Sequence, residues 1–508
     1  MSVNTTSELL NIGHDDAIAI KAPGRSPLSY AAIRSLSKRT QQSLSQAGIT
    51  KKDRVAIVLP NGPEMATAFV TISGASTTAP LNPAYRQEEF EFYLDDLKAK
   101  ALVVDAGSAS PAVAAAQKLG IPLINLVTDS SHAAGDFDLT FETTAPNAAA
   151  SHDAVDENDI ALILHTSGTT SRPKIVPLSH INVTSSAENI MNTLSLVPGD
   201  RCLNIMPLFH IHGLIATVLS SLRAGASIYC TPGFNALKYF SWMDDSKPTW
   251  YSAVPTMHQA ILTRAARSKD IIDAVPLRFI RSSSSSLPPQ VMAELENTFA
   301  APVIEAYGMT EAAHQMASNP LPPAVRKAGT VGIAAGPEVG IMSLEGEILK
   351  NGEVGEIVIR GQNVTKGYEN NPKANEENFT NGWFRTGDQG VLDAEGYVSI
   401  TGRLKEIINR GGEKISPREV DEVLMDHPAI QQCVTFAMPH PKLGEEVAAA
   451  VVLKEGMTAD EKDIRTFTAL HLADFKVPRK VLILDEIPKG ATGKLQRIGL
   501  AEKLGLAG

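Results

Sequence analysis

The stretch His165-Thr-Ser-Gly-Thr-Thr-Ser-Arg-Pro-Lys174 gathers hydroxyls, a glycine, an arginine and a lysine. Serine, threonine and glycine leave backbone N–H groups free to point into one concavity, which is how a loop holds phosphate oxygens. Lys174 adds a point charge for a polyanion. The plainer alternative is a solvated turn between two strands. The spacing is not that of a Walker A loop, G-x-x-x-x-G-K-S/T. Further along, Glu305-Ala-Tyr-Gly-Met-Thr-Glu311 sets an aromatic ring, a hydroxyl and a carboxylate just after a predicted strand. Gly382-Trp-Phe-Arg-Thr-Gly-Asp388 ends in a carboxylate suited to the two vicinal hydroxyls of a ribose. Thr401 to Pro417 is basic and bears glycines, and Pro488-Lys-Gly-Ala-Thr-Gly-Lys494 carries a lysine on a glycine loop.

The elements that must position these groups follow from apolar periodicity. Residues 28–48 read as an amphipathic helix stopped by Gly48, 54–60 as a strand, 63–75 as a helix and 77–81 as extended. An acidic helix at 87–97 precedes a strand at 101–105, and 106–150 reads as surface helix and variable loop. Ile160–Leu164 is short enough to be one buried strand, and Ser179 is suited to cap the helix after it. Strands at 201–207, 250–254, 277–281 and 302–306 alternate with helices, one of them at about 213–224. Such alternation implies βαβ units and a parallel sheet. Ligands then belong at the carboxyl ends of the strands, in the loops opening at 165, 208, 282 and 307. From about 325 short glycine-punctuated strands predict a small antiparallel or barrel unit. Residues from about 404 to the end have their own apolar pattern, enough for a separate α+β domain.

The 508 residues suggest about three compact units. With 43% hydrophobic and 20% charged residues, the composition is that of an ordinary globular protein. A net charge of −10 argues against a general affinity for nucleic acid or anionic membrane, so anionic ligands need local positive sites. The three cysteines, Cys202, Cys230 and Cys433, are far apart and have no metal-ligand spacing, which fits a reducing compartment. No signal peptide, membrane-length apolar run or S-K-L terminus is read, so a cytoplasmic location is expected.

Taken together, the five motifs resemble the adenylate-forming superfamily, which includes acyl-CoA synthetases, luciferases and peptide-synthetase adenylation domains. The resemblance runs from about residue 28 to about 498. It implies an α/β fold whose large N-terminal domain has two α/β subdomains plus a small β-barrel, followed by a smaller mobile α+β domain. The expected divisions are 1–402 for the adenylation domain, 403–405 for a hinge at Lys405, and 406–508 for the C-terminal domain. The implied reactants are ATP, Mg2+, CoA and a carboxylic acid, in a monomer or homodimer with no nucleic-acid or membrane partner. Thr166, Ser167, Gly168, Thr169, Thr170 and Lys174 would hold the β- and γ-phosphates. Thr310 would donate to the α-phosphate, Glu311 would ligate magnesium, and Tyr307, between Ala306 and Gly308, would stack on adenine. Asp388, assisted by Arg403, would accept the ribose hydroxyls, Lys414 would reach the nucleotide phosphate, and Lys494 would bridge the acid and the α-phosphate. The loop Arg410-Gly411-Gly412 would line the thiol tunnel in a second closed state.

The acid pocket is expected among His210, Ser284, Ser285 and His314, whereas a fatty-acid pocket would be lined mainly by apolar groups. Histidines and hydroxyls suit a second carboxylate. His212 and His180 read as structural. Pro207-Leu-Phe-His-Ile-His-Gly213, the serine run 282–286, Thr310-Glu-Ala-Ala-His314, Asn363-Val-Thr-Lys-Gly-Tyr368 and Asn409 to Pro417 resemble one branch, the oxalyl-CoA synthetases of plants and yeast. The expected activity is therefore an acid–CoA ligase for a small acid, oxalate first, with another short- or medium-chain acid as the alternative. A non-catalytic nucleotide-binding protein of the same fold is the reading disfavoured by intact Glu311, Asp388 and Lys494.

Overall fold

In the computed structural model, residues 3–129, 131–142, 154–166, 173–489 and 495–506 are described. They build four sheets. The first has seven strands, ordered Asp138–Phe141, Leu123–Val127, Ala101–Asp105, Arg54–Val58, Thr77–Pro80, Ile160–Thr166 and Lys174–Ser179. Its inner strands run parallel and both edge pairs are antiparallel. The phosphate-loop candidate therefore joins two antiparallel strands, with Thr166 opposite Lys174. Residues 106–150, expected to hold only helix and loop, contribute the helix Pro111–Leu119 and the two strands Leu123–Val127 and Asp138–Phe141. Their alternation is blurred: along 138–141 every residue is exposed or half-exposed, so no apolar face marks the strand.

The second sheet has nine strands, and its parallel centre includes Arg201–Asn204, Trp250–Ala253, Phe279–Ser282 and Val303–Met309. These central strands are buried along both faces, which is why they read as continuous apolar runs. The carboxyl ends of Arg201–Asn204, Phe279–Ser282 and Val303–Met309 open into the segments that carry the candidate acid-pocket residues. The helix expected at 213–224 begins as a wide π-helical stretch, His212–Leu219, before tightening to Ser220–Arg223. Such stretches are rare and recur at functional sites.

The glycine-punctuated region forms an antiparallel unit of Glu338–Met342, Gly355–Arg360, Phe379–Thr380, Trp383–Leu392 and Val398–Arg403. Among the described residues, the last sheet, drawn from residues 408–483, pairs its strands only with one another. Its core of Ile408, Ile415, Val420, Leu424, Val447, Val451 and Ile464 is its own hydrophobic cluster.

Candidate active site

Strand Val303–Met309 runs on through Tyr307 and Gly308, which the sequence placed in a loop, and turns back as His314–Ser318. A Cβ on Gly308 would fall 1.9 Å from the carbonyl oxygen of His314, so only glycine fits this hairpin. At the turn Ala313 and His314 take φ of 46° and 98°, conformations that cost non-glycine residues energy and cluster at functional sites. The segment 363–368 clamps the turn from outside. Asn363 Nδ2 donates to the carbonyls of Ala312 and Gln315 at 2.8 and 2.9 Å, and Thr365 N donates to Glu311 O at 2.7 Å.

Tyr368 then donates its hydroxyl to Glu311 Oε1 at 2.8 Å. Glu311 is 5% exposed, and burial pushes its carboxyl up, opposed by the Tyr368 bond and the charges of Arg403 and Lys174. Lys174 Nζ sits 4.4 Å from the centre of the Tyr368 ring, and desolvation pulls its amine down while Glu311 holds it up. Lys405 is close enough to oppose Lys174 electrostatically. Thr310, Glu311, Lys174, Arg403 and Lys405 thus come together. Glu311 offers hard oxygen, which suits Mg2+. Among the described residues no group of three or more His, Cys, Asp or Glu is placed to hold an ion. The arrangement fits magnesium, which is commonly held by one or two carboxylates plus substrate phosphates.

Asp388 lies inside strand Trp383–Leu392, directly opposite Arg403. Arg403 Nε donates to Asp388 Oδ1 at 2.9 Å and the Tyr307 hydroxyl donates to Oδ2. Pairing with Asp388 holds the Arg403 guanidinium above its ordinary range. Asp388 is a fixed carboxylate, 5% exposed, with one oxygen oriented by a ring and the other by a cation.

On the acid side, His212, read from the sequence as structural, is fully buried. His212 lies 3.0 Å through Nδ1 from Ser284 Oγ and 2.6 Å through Nε2 from Ser252 Oγ. Its ring meets that of His314 edge-on, with centroids 5.0 Å apart. Its backbone N–H donates to His210 Nδ1 at 3.3 Å. Ser284 has φ of 72°, a third strained non-glycine residue in this neighbourhood. Ser285 is exposed beside it. His180 is structural, as read: Thr6 N donates to its Nδ1 at 3.2 Å, and burial brings the imidazole down to about 4.

Ser167, Gly168, Thr169, Thr170 and Lys494 lie outside the described residues. The ends of the Lys494 loop meet in a bridge between Lys489 and Leu495. Three residues on, Arg497 pairs with Asp421 at 2.7 Å and with Glu406 at 3.3 Å, which ties that segment to the stretch after Lys405. Arg410, Gly411, Gly412 and Lys414 form a separate hairpin. Gly411 and Gly412 have φ of 61° and 101°, the two positive angles that a two-residue hairpin turn demands. Turn geometry, rather than close approach to Gly412, accounts for that pair, since a Cβ there meets nothing within 4 Å. Arg410 is held by Glu446 at 2.5 Å, and Lys414 is exposed. Asn363 and Tyr368 carry no sequence signal of these contacts, because no spacing ties the motif 363–368 to Glu311.

Residues 12–369 match the family described as AMP-binding enzyme, and residues 419–494 match the AMP-binding enzyme C-terminal domain. A protein of Arabidopsis thaliana named oxalate–CoA ligase is 46% identical over 488 residues, spanning 95% of this chain and 94% of that one. One of the same name from Saccharomyces cerevisiae is 44% identical over 477 residues, spanning 89% and 87%. The crystal structure of ATP-bound MatB from Rhodopseudomonas palustris superposes with a TM-score of 0.88 at 30% identity, covering 99% of both chains. No helix among the described residues is long and apolar enough to cross a membrane.

Proposed function

We propose that this chain, which belongs to the AMP-binding enzyme family and is an acid–CoA ligase working with ATP, Mg2+ and CoA, activates oxalate. The observation that carries the choice of acid is the polar cluster of His212, His314 and Ser284, with His210 beside it. A second, unreacting carboxylate entering a partly dry pocket needs donors, because an unpaired buried charge is expensive. An aliphatic tail offers this polar wall no charge and no acceptor. The two oxalate–CoA ligases among the relatives support this reading.

In the first half-reaction a carboxylate oxygen of the acid attacks the α-phosphorus of ATP. A C–O–P bond forms, the bond to the β-phosphate oxygen breaks, and pyrophosphate leaves. Two anions must meet, so preorganised positive charge and N–H donors lower the barrier. Lys174 and the loop Thr166 to Thr170 hold the β- and γ-phosphates, Thr310 donates to the α-phosphate, and Lys494 bridges it to the acid. Glu311 would hold magnesium, which would supply positive charge to neutralise the phosphates. Tyr307 stacks on adenine and Asp388 with Arg403 fixes the ribose. Rotation at 403–405, between the domains 1–402 and 406–508, then brings Arg410 to Gly412 to the thiol path. The CoA sulfur attacks the acyl carbon, the thioester forms and AMP departs. Pyrophosphate release measured without CoA, and AMP release with CoA, across oxalate, acetate, butyrate and octanoate tests the choice of acid. Oxalate should give the highest kcat/KM, and His314→Ala should raise KM for oxalate far more than KM for ATP. Octanoate winning, or normal oxalate kinetics in His314→Ala, refutes the oxalate reading.

A further inference from the structure

Arg281 is fully buried in strand Phe279–Ser282, and among the described residues no carboxylate forms an ion pair with it. Its Nη1 reaches Ser252 Oγ at 3.4 Å, its Nη2 reaches Gln315 Oε1 at 3.4 Å, and Nε has no hydrogen-bond partner. Strand register sets Arg281 beside Ser252 on the neighbouring strand, so both project to the face covered by the π-helical stretch that starts at His212. Burying a cation without a counter-ion is costly, and proteins keep such a group where something supplies the missing charge. Burial brings the guanidinium down to about 9, so it remains a cation at neutral pH.

We propose that Arg281 is a positioning residue for the acid: through Ser252 and His212 it fixes the Ser284 hydroxyl as a donor into the pocket, and its buried charge favours an acid with a second carboxylate. A guanidinium can only donate. Ser252 Oγ therefore accepts from Arg281 and donates its O–H in a hydrogen bond to His212 Nε2. His212 then carries its ring proton on Nδ1 and donates to Ser284 Oγ, leaving the Ser284 proton to point at a ligand. Each link polarises the next in one direction, and such chains strengthen cooperatively in a low-dielectric interior. The other arm of Arg281 holds Gln315, the residue after His314, whose Nε2 is anchored on Thr193 Oγ1 at 3.1 Å and Ala335 O at 3.2 Å. Arg281 thus braces both the Ser284 wall and the His314 wall. The inference rests on the reading that the acid carries two carboxylates.

The test compares wild type, Arg281→Met, Arg281→Lys and Ser252→Ala as full-length enzymes, with KM for oxalate, KM for ATP and the oxalate-to-acetate ratio of kcat/KM as readouts. Arg281→Met should raise KM for oxalate and lower the ratio by about tenfold or more while KM for ATP stays within about twofold. Arg281→Lys keeps the charge and should restore most of the ratio. Ser252→Ala keeps the charge but cuts the relay, and should lower the ratio by a smaller factor. Equal losses on oxalate and acetate in Arg281→Met, or a wild-type ratio in it, overturn the proposal. If Arg281→Met does not fold, a wild-type ratio in Ser252→Ala overturns it. Wild type favouring acetate over oxalate in the same assay would instead remove the oxalate reading on which the proposal stands.

Discussion

Replacing Asp388 by asparagine should weaken ATP binding by a factor that the local bonding sets. A carboxylate offers about four lone-pair sites. Arg403 Nε takes one on Oδ1 and the Tyr307 hydroxyl one on Oδ2, which leaves one on each oxygen for two vicinal hydroxyls. In the asparagine variant Arg403, which can only donate, keeps the amide oxygen, and the NH2 faces the Tyr307 oxygen. One ribose hydroxyl then loses its acceptor and the other bonds to a neutral one. A hydrogen bond to a charged group contributes roughly 1.5–3 kcal/mol, so the dissociation constant should rise about 10- to 150-fold. Titration calorimetry with ATP and with a 2′,3′-dideoxy analogue reads this directly. Wild type should lose the same factor on going to the dideoxy nucleotide, and Asp388→Asn should lose little more. Wild type binding both nucleotides equally would take Asp388 out of the ribose site.

Lys494→Ala should abolish pyrophosphate release while synthetic acyl-AMP plus CoA still yields thioester; equal loss of both half-reactions would break the assigned division of labour. Tyr368→Phe removes the donor to Glu311, so the magnesium concentration for half-maximal activity should rise severalfold with the melting temperature little changed, and an unchanged magnesium requirement would separate Tyr368 from that function. Glu305 is buried in strand Val303–Met309, accepts from Leu287 N at 3.0 Å, and feels Arg418 and Glu422 from the helix Pro417–Met425; burial pushes its carboxyl up from 4.5 to about 7. A raised folded-state value means the unfolded chain releases the proton first, so this contribution to stability is full below about pH 4.5 and lost as pH rises through 7. Glu305→Gln should remove that slope, and denaturation midpoints at pH 5 and pH 8 should show its advantage over wild type growing with pH by an amount on the order of 3 kcal/mol.

The fold was legible where periodicity and punctuation agreed. The helix Gln87–Leu97 and the strand Ala101–Asp105 fall on their expected bounds because each has an unbroken apolar pattern and a sharp stop. The strand Asp138–Phe141 was missed because it lies at a sheet edge with no buried face. The nucleotide side of the site was visible as motifs, but a motif cannot show that Asp388 sits in a strand opposite Arg403 or that Tyr368 reaches Glu311. The first joins residues 15 apart through sheet register, and the second joins residues 57 apart through the packing of a loop on a turn, neither of which local spacing encodes. The surroundings of His212 were not legible for a related reason. One histidine in a sequence is most often structural, and only packing brings it against Ser252, Ser284 and His314. Arg281 gave no signal because a lone basic residue in an apolar strand has no sequence signature of its partners.

The central claim, that this acid–CoA ligase has a pocket built for a small acid with two carboxylates, is tested most directly by competition in a single vessel. Oxalate, acetate, butyrate and octanoate are supplied at equal concentration with limiting ATP and CoA, and the thioesters are resolved by mass spectrometry. The account predicts oxalyl-CoA as the dominant product. Octanoyl-CoA or butyryl-CoA in excess over oxalyl-CoA would contradict it and leave the broader acid–CoA ligase assignment standing.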